Sequence, residues 1–303
     1  MRIAYTSDLH SDLGQRNFDL LDAIAARVSA LSPDLFIVAG DVAETLRGVS
    51  RALERLAAVP CRRFYLPGNH DLFVEADPGR ADTATSRDKY ERLLPDIARG
   101  AGFEALGMRP VHVGGLALVG VSGWFDFTLR DPKLDCFVSM EAYRAGQWRG
   151  IRAYDRGHIF WPRQRGHTRA GEHPASHGGA WASDEEIHER MLEHLDAQLA
   201  RVRDAAALVA VVHVVPFSQA VVRGTFGPSA FFDAYLGSAR LGERLCRAPG
   251  LRAIIHGHQH QVSEHTIAGI RVLASPVGDA SRSPLDLAGL ARERVGFVDI
   301  NAR

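Results

Sequence analysis

Three histidines alternate in the stretch AIIHGHQH, at His256, His258 and His260, where an apolar run ends. A solvated loop has no need of them, and a packed core rarely takes three. Imidazoles spaced this way suggest convergence on a metal ion. The chain offers further donors in similar settings. YTSDLHSD carries Asp8 and His10 as a D-x-H pair, and IVAGDVAE carries Asp41 directly after Gly40. YLPGNHD carries Asn69, His70 and Asp71 after Gly68, and VVHVVP carries His213. Carboxylate, amide oxygen and imidazole without thiolate form a donor set suited to Mn, Fe, Zn, Co or Ni. His256 precedes the glycine of its motif. It is read as a support facing the sheet interior, not as a ligand.

Such donors act together only if separate elements deliver them to one place. RIAYTS, DLFIVAG, RRFYLPG, ALVAVVHVVP and LRAIIHGH each read as a buried strand, and each motif falls at the end of its strand. In open α/β sheets, sites form beyond the carboxyl ends of strands. Taken singly, a D-x-H or a Gly-Asp is turn chemistry, and a histidine in an apolar strand is a hydrogen-bonded core residue. The conjunction of five such strand ends, in order, argues for a metal centre. Helical spacing marks 18–31, 45–58, 90–101, 183–203 and 230–246, with Pro95 expected to kink or delay the third. Ser183 or Asp184 caps the fourth, with Glu185 and Glu186 in its first turn. VHVGGLALVGVSG reads as a hairpin turning at Gly114-Gly115. Strands and helices alternate early, and strands follow one another later. That order predicts helices covering two sheets packed face to face, an α/β sandwich.

Bulk composition excludes several classes. Of 303 residues, 46% are hydrophobic and 24% charged, as in soluble globular proteins. Lys plus Arg and Asp plus Glu both number 36, so no basic track calls for a long nucleic acid. No apolar run approaches the roughly 20 residues of a membrane span. Cys61, Cys136 and Cys246 form neither a C-x-x-C nor a disulfide framework. With no signal-peptide pattern at MRIAYTSDLH, the expected compartment is the cytoplasm.

The stretch at about 124–183 stands apart, because its periodicity fades. It holds every tryptophan (Trp124, Trp148, Trp161 and Trp181) together with His158, His167, His173 and His177. So many aromatics argue against disorder. The expectation is a cap-like insertion over the site, in which WFDFT and HIFWPRQRGH face substrate. Arg144, Arg149, Arg152, Arg156, Arg163, Arg165 and Arg169 would pair with extra phosphates or carboxylates. The competing reading gives the tryptophans a small core of their own and leaves the arginines in solvent. No metal ligand is expected inside this segment.

The series D-x-H, GD, GNHD, H and GH-x-H, running from Asp8 to His260, resembles the calcineurin-like metallophosphoesterase superfamily. The resemblance spans the chain, read as a single domain over 1–303. It implies a four-layer α/β/β/α sandwich of two mixed sheets, with a dinuclear metal site at the strand ends. By motif position, Asp8, His10 and His260 would hold one metal, Asn69, His213 and His258 the other, and Asp41 would bridge them. His70 would stand beside the substrate, oriented by Asp71, where it could stabilise developing charge or give a proton to the leaving oxygen. The implied reaction is hydrolysis of a phosphate mono- or diester by metal-activated hydroxide, with two transition-metal ions as cofactors. A small phosphorylated metabolite or nucleotide is the expected substrate, and no oligomeric state is specified. A nuclease acting on short nucleic acids is the alternative. A non-catalytic scaffold of the same fold would be expected to lose ligands or His70, and all are present.

Overall fold

The computed structural model describes residues 1–74, 84–163, 181–223 and 228–301. In chain order its strands are β1 (Arg2–Thr6), β2 (Leu35–Ala39), β3 (Arg62–Leu66), β4 (Glu104–Ala105), β5 (Val111–Val113), β6 (Leu116–Val121), β7 (Gln147–Trp148), β8 (Ile151–Arg152), β9 (Ala207–Val212), β10 (Leu251–His256), β11 (Ser263–Ile267), β12 (Ile270–Ala274) and β13 (Gly296–Asp299). The α-helices are α1 (Gln15–Leu31), α2 (Leu46–Leu56), α3 (Ser86–Asp88), α4 (Leu94–Gly100), α5 (Met140–Ala145), α6 (Asp184–Leu199), α7 (Pro228–Phe231), α8 (Ala239–Cys246) and α9 (Leu287–Arg294).

Two mixed sheets result, ordered β13-β1-β2-β3-β4 and β11-β12-β10-β9-β6-β5. Their centres are parallel: β1, β2 and β3 in one, and β6, β9, β10 and β12 in the other. Parallel strands buried on both faces need continuous apolar runs, which LFIVA and ALVAVV supply. Side chains alternate between two cores. Ile3, Ile37 and Phe64 from one sheet meet Leu118, Val209 and Ile255 from the other, forming the layer between sheets. The intervening residues, such as Phe36, Val38, Val119 and Ala210, pack outward with helical residues including Leu20, Ile24, Leu53 and Leu195. The observed architecture is therefore the four-layer sandwich. No described helix is long and apolar enough to cross a membrane.

Two local readings change and one holds. α1 begins at Gln15, three residues before the apolar periodicity starts. Pro95 goes with the expected delay, since the α-helix proper starts only at Leu94. Pro95 lies in the first turn of α4, directly after a π-helical turn over Lys89–Leu93 that follows α3. The change from π- to α-helical bonding at this point accommodates the missing Pro95 N–H within a continuous helical run. The stretch 230–246 is not one helix. It divides at Leu236–Ser238, where the chain pairs with Val215 through Val215 N–H to Leu236 O and Ser238 N–H to Val215 O. Tertiary pairing with the loop after β9 overrides helical propensity at this point.

Candidate metal centre

The loops leaving β1 and β2 are zipped together. Asp8 N–H donates to Gly40 O (2.8 Å), His10 N–H to Asp41 O (3.0 Å) and Ser11 N–H to Val42 O (2.9 Å). Five donor residues adopt left-handed backbone: Asp8 (φ 52°), His10 (φ 41°), Asp41 (φ 54°), His258 (φ 72°) and His260 (φ 52°). At roughly 1–2 kcal/mol each, they oppose folding by about 5–10 kcal/mol, the size of a typical net stability. The two cores must offset this, and strain of this kind concentrates where side-chain aim matters more than stability.

The side chains converge in two groups that share one residue. Ligand atoms of Asp8, His10, Asp41 and His260 lie within 4.8 Å of one another, as do those of Asp41, His213 and His258. Asp41 Oδ2 is 3.9 Å from His10 Nε2 and 3.1 Å from His213 Nε2. His260 Nε2 stands 2.9 Å from His10 Nε2 and 3.4 Å from Asp8 Oδ1. Asn69 Oδ1 completes the second group, 3.0 Å from His213 Nε2 and 2.9 Å from His258 Nδ1.

The donor chemistry of these groups fits cations. His213 Nδ1–H meets Ala39 O at 2.8 Å, and His258 Nε2–H meets Tyr235 O at 2.9 Å. Each ring thereby turns its other nitrogen, a lone pair when the ring is neutral, toward the site. Burial, followed by the charge of His213, lowers His258 to about 4, so it stays neutral. Its lone pair then faces the Asn69 carbonyl with no hydrogen between them. Asp8 and Asp41 are buried, and their ion-pair partners among the described residues are imidazoles only. Burial alone would lower His213, yet Asp41 and then Asp8 raise it to about 10. Burial alone would raise Asp8, yet contact with His260 and the charge of His213 bring it to about 2. The site calls for positive charge, which a proton supplies partially and a metal ion supplies fully.

Close approach leaves no space for side chains at two glycines. A Cβ on Gly68 would lie 2.1 Å from Asp41 Oδ1, and one on Gly257 would lie 2.4 Å from Asp8 Oδ2. Gly257→Ala is expected to displace Asp8 and lower phosphoesterase activity by roughly 10²-fold, the scale of an ångström-sized misplacement. Hydrolysis assays beside thermal melting test this. Near-full activity in a folded variant would show that the loop relaxes.

His70 and Asp71 do not form the expected pair. Asp71 is fully buried and accepts four backbone hydrogen bonds. Its Oδ2 takes Asp41 N–H (2.9 Å) and Gly68 N–H (2.8 Å), and its Oδ1 takes Val42 N–H (2.8 Å) and Ala43 N–H (3.0 Å). A carboxylate so engaged holds the loop after β2 against the loop after β3, fixing Asp41 through its backbone. The partner of His70 is Glu44, whose Oε1 lies 3.2 Å from His70 Nδ1. Burial would lower His70, but Asp41 and then Glu44 raise it to about 9 in the protein alone. Glu44 sits three residues after Asp41 in GDVAE, so the sequence held the signal. His256 is buried and lowered by burial to about 4. It belongs to neither donor group among the described residues.

The insertion reaches the site partly through the stretches expected, since Phe125 packs against His258 (ring centroids 5.6 Å) and His158 against Phe73, and partly through others. Trp124 and Trp161 are buried in the core, as are Phe125 and Phe127. Trp124 Nε1–H donates to Asp184 Oδ1 at 2.9 Å. Arg156, Arg144 and Arg163 pair with Asp184 (3.2 Å), Glu185 (3.0 Å) and Glu186 (3.0 Å). Three arginines expected at substrate instead tie the insertion to the first turn of α6. Arg165, Arg169, His167, His173 and His177 lie outside the described residues. The group beside His70 is Tyr154, 58% exposed, with ring centroids 5.9 Å apart and planes 25° from parallel. Asp155 follows it and accepts from Asn69 Nδ2 at 2.9 Å.

A family model described as calcineurin-like phosphoesterase matches residues 1–262 of this chain. The chain belongs to the calcineurin-like phosphoesterase family. This phosphoesterase resembles solved structures over nearly its whole length. A phosphopantetheinyl hydrolase from Mycobacterium tuberculosis is similar with TM-score 0.68 at 20% identity, over 98% of this chain and 95% of that one. A dimetal phosphatase from Danio rerio is similar with TM-score 0.51 at 13% identity, over 90% and 86%. The protein TT1561 of Thermus thermophilus is similar with TM-score 0.50 at 12% identity, over 100% and 99%. No curated protein sequence matches the phosphoesterase significantly. By family it is a metal-dependent hydrolase of phosphoric esters.

Proposed function

We propose that this phosphoesterase hydrolyses a phosphate mono- or diester of a small metabolite or nucleotide, using two transition-metal ions. Asp8, His10 and His260 would hold one ion, Asn69, His213 and His258 the other, with Asp41 common to both. The observation that carries the reading is this sharing, because both donor groups converge on the single buried carboxylate of Asp41. Such a pair of ions supplies a lowered water pKa and neutralises phosphoryl oxygens. The chain supplies the remainder. His70, held by Glu44, can give a proton to the departing oxygen. Tyr154 offers an exposed ring beside His70 on which an apolar or heterocyclic leaving group can rest. Cys61, Cys136 and Cys246 are free thiols, which supports a cytoplasmic setting.

Chelation should abolish hydrolysis, and Mn, Fe, Zn, Co or Ni added singly should restore it to different extents. A panel of phosphomonoesters, phosphodiesters, cyclic nucleotides, short single-stranded and duplex oligonucleotides, and phosphopantetheinyl compounds tests this directly. Metal-dependent turnover of a small ester supports the proposal. Full activity after exhaustive chelation would remove it, and preference for the oligonucleotides would move it to the nuclease class.

A further inference from the structure

We infer that Asp155, carried by the insertion, is a positioning residue of the metal centre that sets which end of the Asn69 amide faces the second metal. This deepens the two-ion reading and rests on it. An asparagine amide has an oxygen end that can ligate a cation and an NH₂ end that cannot. The two ends are nearly equal in shape, so packing alone selects weakly between them. Selection needs a partner that accepts only one. In the structure Asn69 Oδ1 lies 3.0 Å from His213 Nε2 and 2.9 Å from His258 Nδ1. Asn69 Nδ2–H donates to Asp155 Oδ1 at 2.9 Å. An ionised carboxylate is acceptor-only. A flipped amide would set its oxygen against the Asp155 carboxylate and its NH₂ against the ion, so both contacts would fail together.

Asp155 is in turn held in place. It lies in the 3₁₀ turn Tyr154–Gly157. Behind it, Val74 N–H donates to His158 O at 2.8 Å, and Ala153 N–H donates to Gly146 O at 2.8 Å. Arg156, its neighbour, pairs with Asp184 at the start of α6. Asn69 and Asp155 are 86 residues apart in sequence. Through Asp155 the described part of the 124–183 stretch therefore touches the candidate metal centre. It supplies none of the donor residues, yet it contacts one of them, Asn69.

Outer partners of this kind typically change metal affinity by roughly 10–100-fold. Metal-free protein and its Asp155→Ala variant are titrated with Co²⁺, followed by calorimetry and by cobalt absorption. One of the two equivalents is expected to weaken by about that factor in the variant, with the other within a few-fold of the unchanged protein. The double variant Asn69→Asp/Asp155→Ala is the decisive partner. A carboxylate at 69 has oxygens at both ends and needs no orientation, so the weakened equivalent should recover. If both equivalents keep their original affinity in Asp155→Ala, the inference falls. It also falls if both weaken together without rescue, because Asp155 would then serve the fold alone. Unchanged protein that binds fewer than two Co²⁺ would instead sink the two-ion reading itself.

Discussion

Asp41→Ala is expected to bring metal content close to zero and to lower hydrolysis by at least about 10³-fold, since bound ions supply several kcal/mol of charge stabilisation. Asp41 is the one residue common to both donor groups. Its carboxylate also accepts His70 N–H at 2.9 Å, so His70 and both donor groups share this anchor. Asp8→Ala is the informative contrast. It removes a ligand from one group only and leaves Asp41, His213, His258 and Asn69 in place. Elemental analysis should therefore find about one ion per chain in Asp8→Ala and almost none in Asp41→Ala. Equal retention of both ions in Asp41→Ala would show that the carboxylate does not bridge.

His70→Asn is expected to keep its metals and lose about 10²–10⁴ in rate, the range of a general acid. The loss should shrink for nitrophenyl esters, whose leaving groups need little protonation, and grow for alkyl esters. Glu44→Gln should move the same way by less. It removes the carboxylate beside His70 Nδ1 while leaving the imidazole and Asp41 in position. Parallel rate measurements across a leaving-group series, with metal content checked in each variant, separate these outcomes. Stoichiometric metal loss in His70→Asn would make the residue a ligand and not an acid.

The convergence of the donors was legible in the sequence because topology forces it. Asp8, Asp41 and Asn69 each follow a parallel strand of one sheet, and His213 and His258 a parallel strand of the other, so each set shares an edge of its own sheet, and the two edges meet where His213 reaches Asp41. The periodicity that separates strand from helix placed the layers for the same reason. What did not show was any contact decided by tertiary approach. Asp71 follows His70, so adjacency suggested a pair, yet its side chain turns inward to backbone amides of two loops. Asp155 carries no motif, and its contact with Asn69 joins residues 86 apart in the sequence. Arg144, Arg156 and Arg163 looked available to phosphate, and the acids of the α6 first turn claim them instead. Glu185 and Glu186 were read as first-turn acids favourable to the helix dipole, but a second use for them has no local signature. Leu236–Ser238 interrupts a helical pattern for a pairing with Val215, which lies well back in the chain beyond β9.

The most direct measurement is anomalous X-ray diffraction from crystals loaded with Mn²⁺ or Zn²⁺. The account predicts two peaks about 3.5–4 Å apart, on either side of the Asp41 carboxylate. One should be in contact with Asp8, His10 and His260, and the other with Asn69, His213 and His258. A single peak, or two peaks that do not share Asp41, would contradict it.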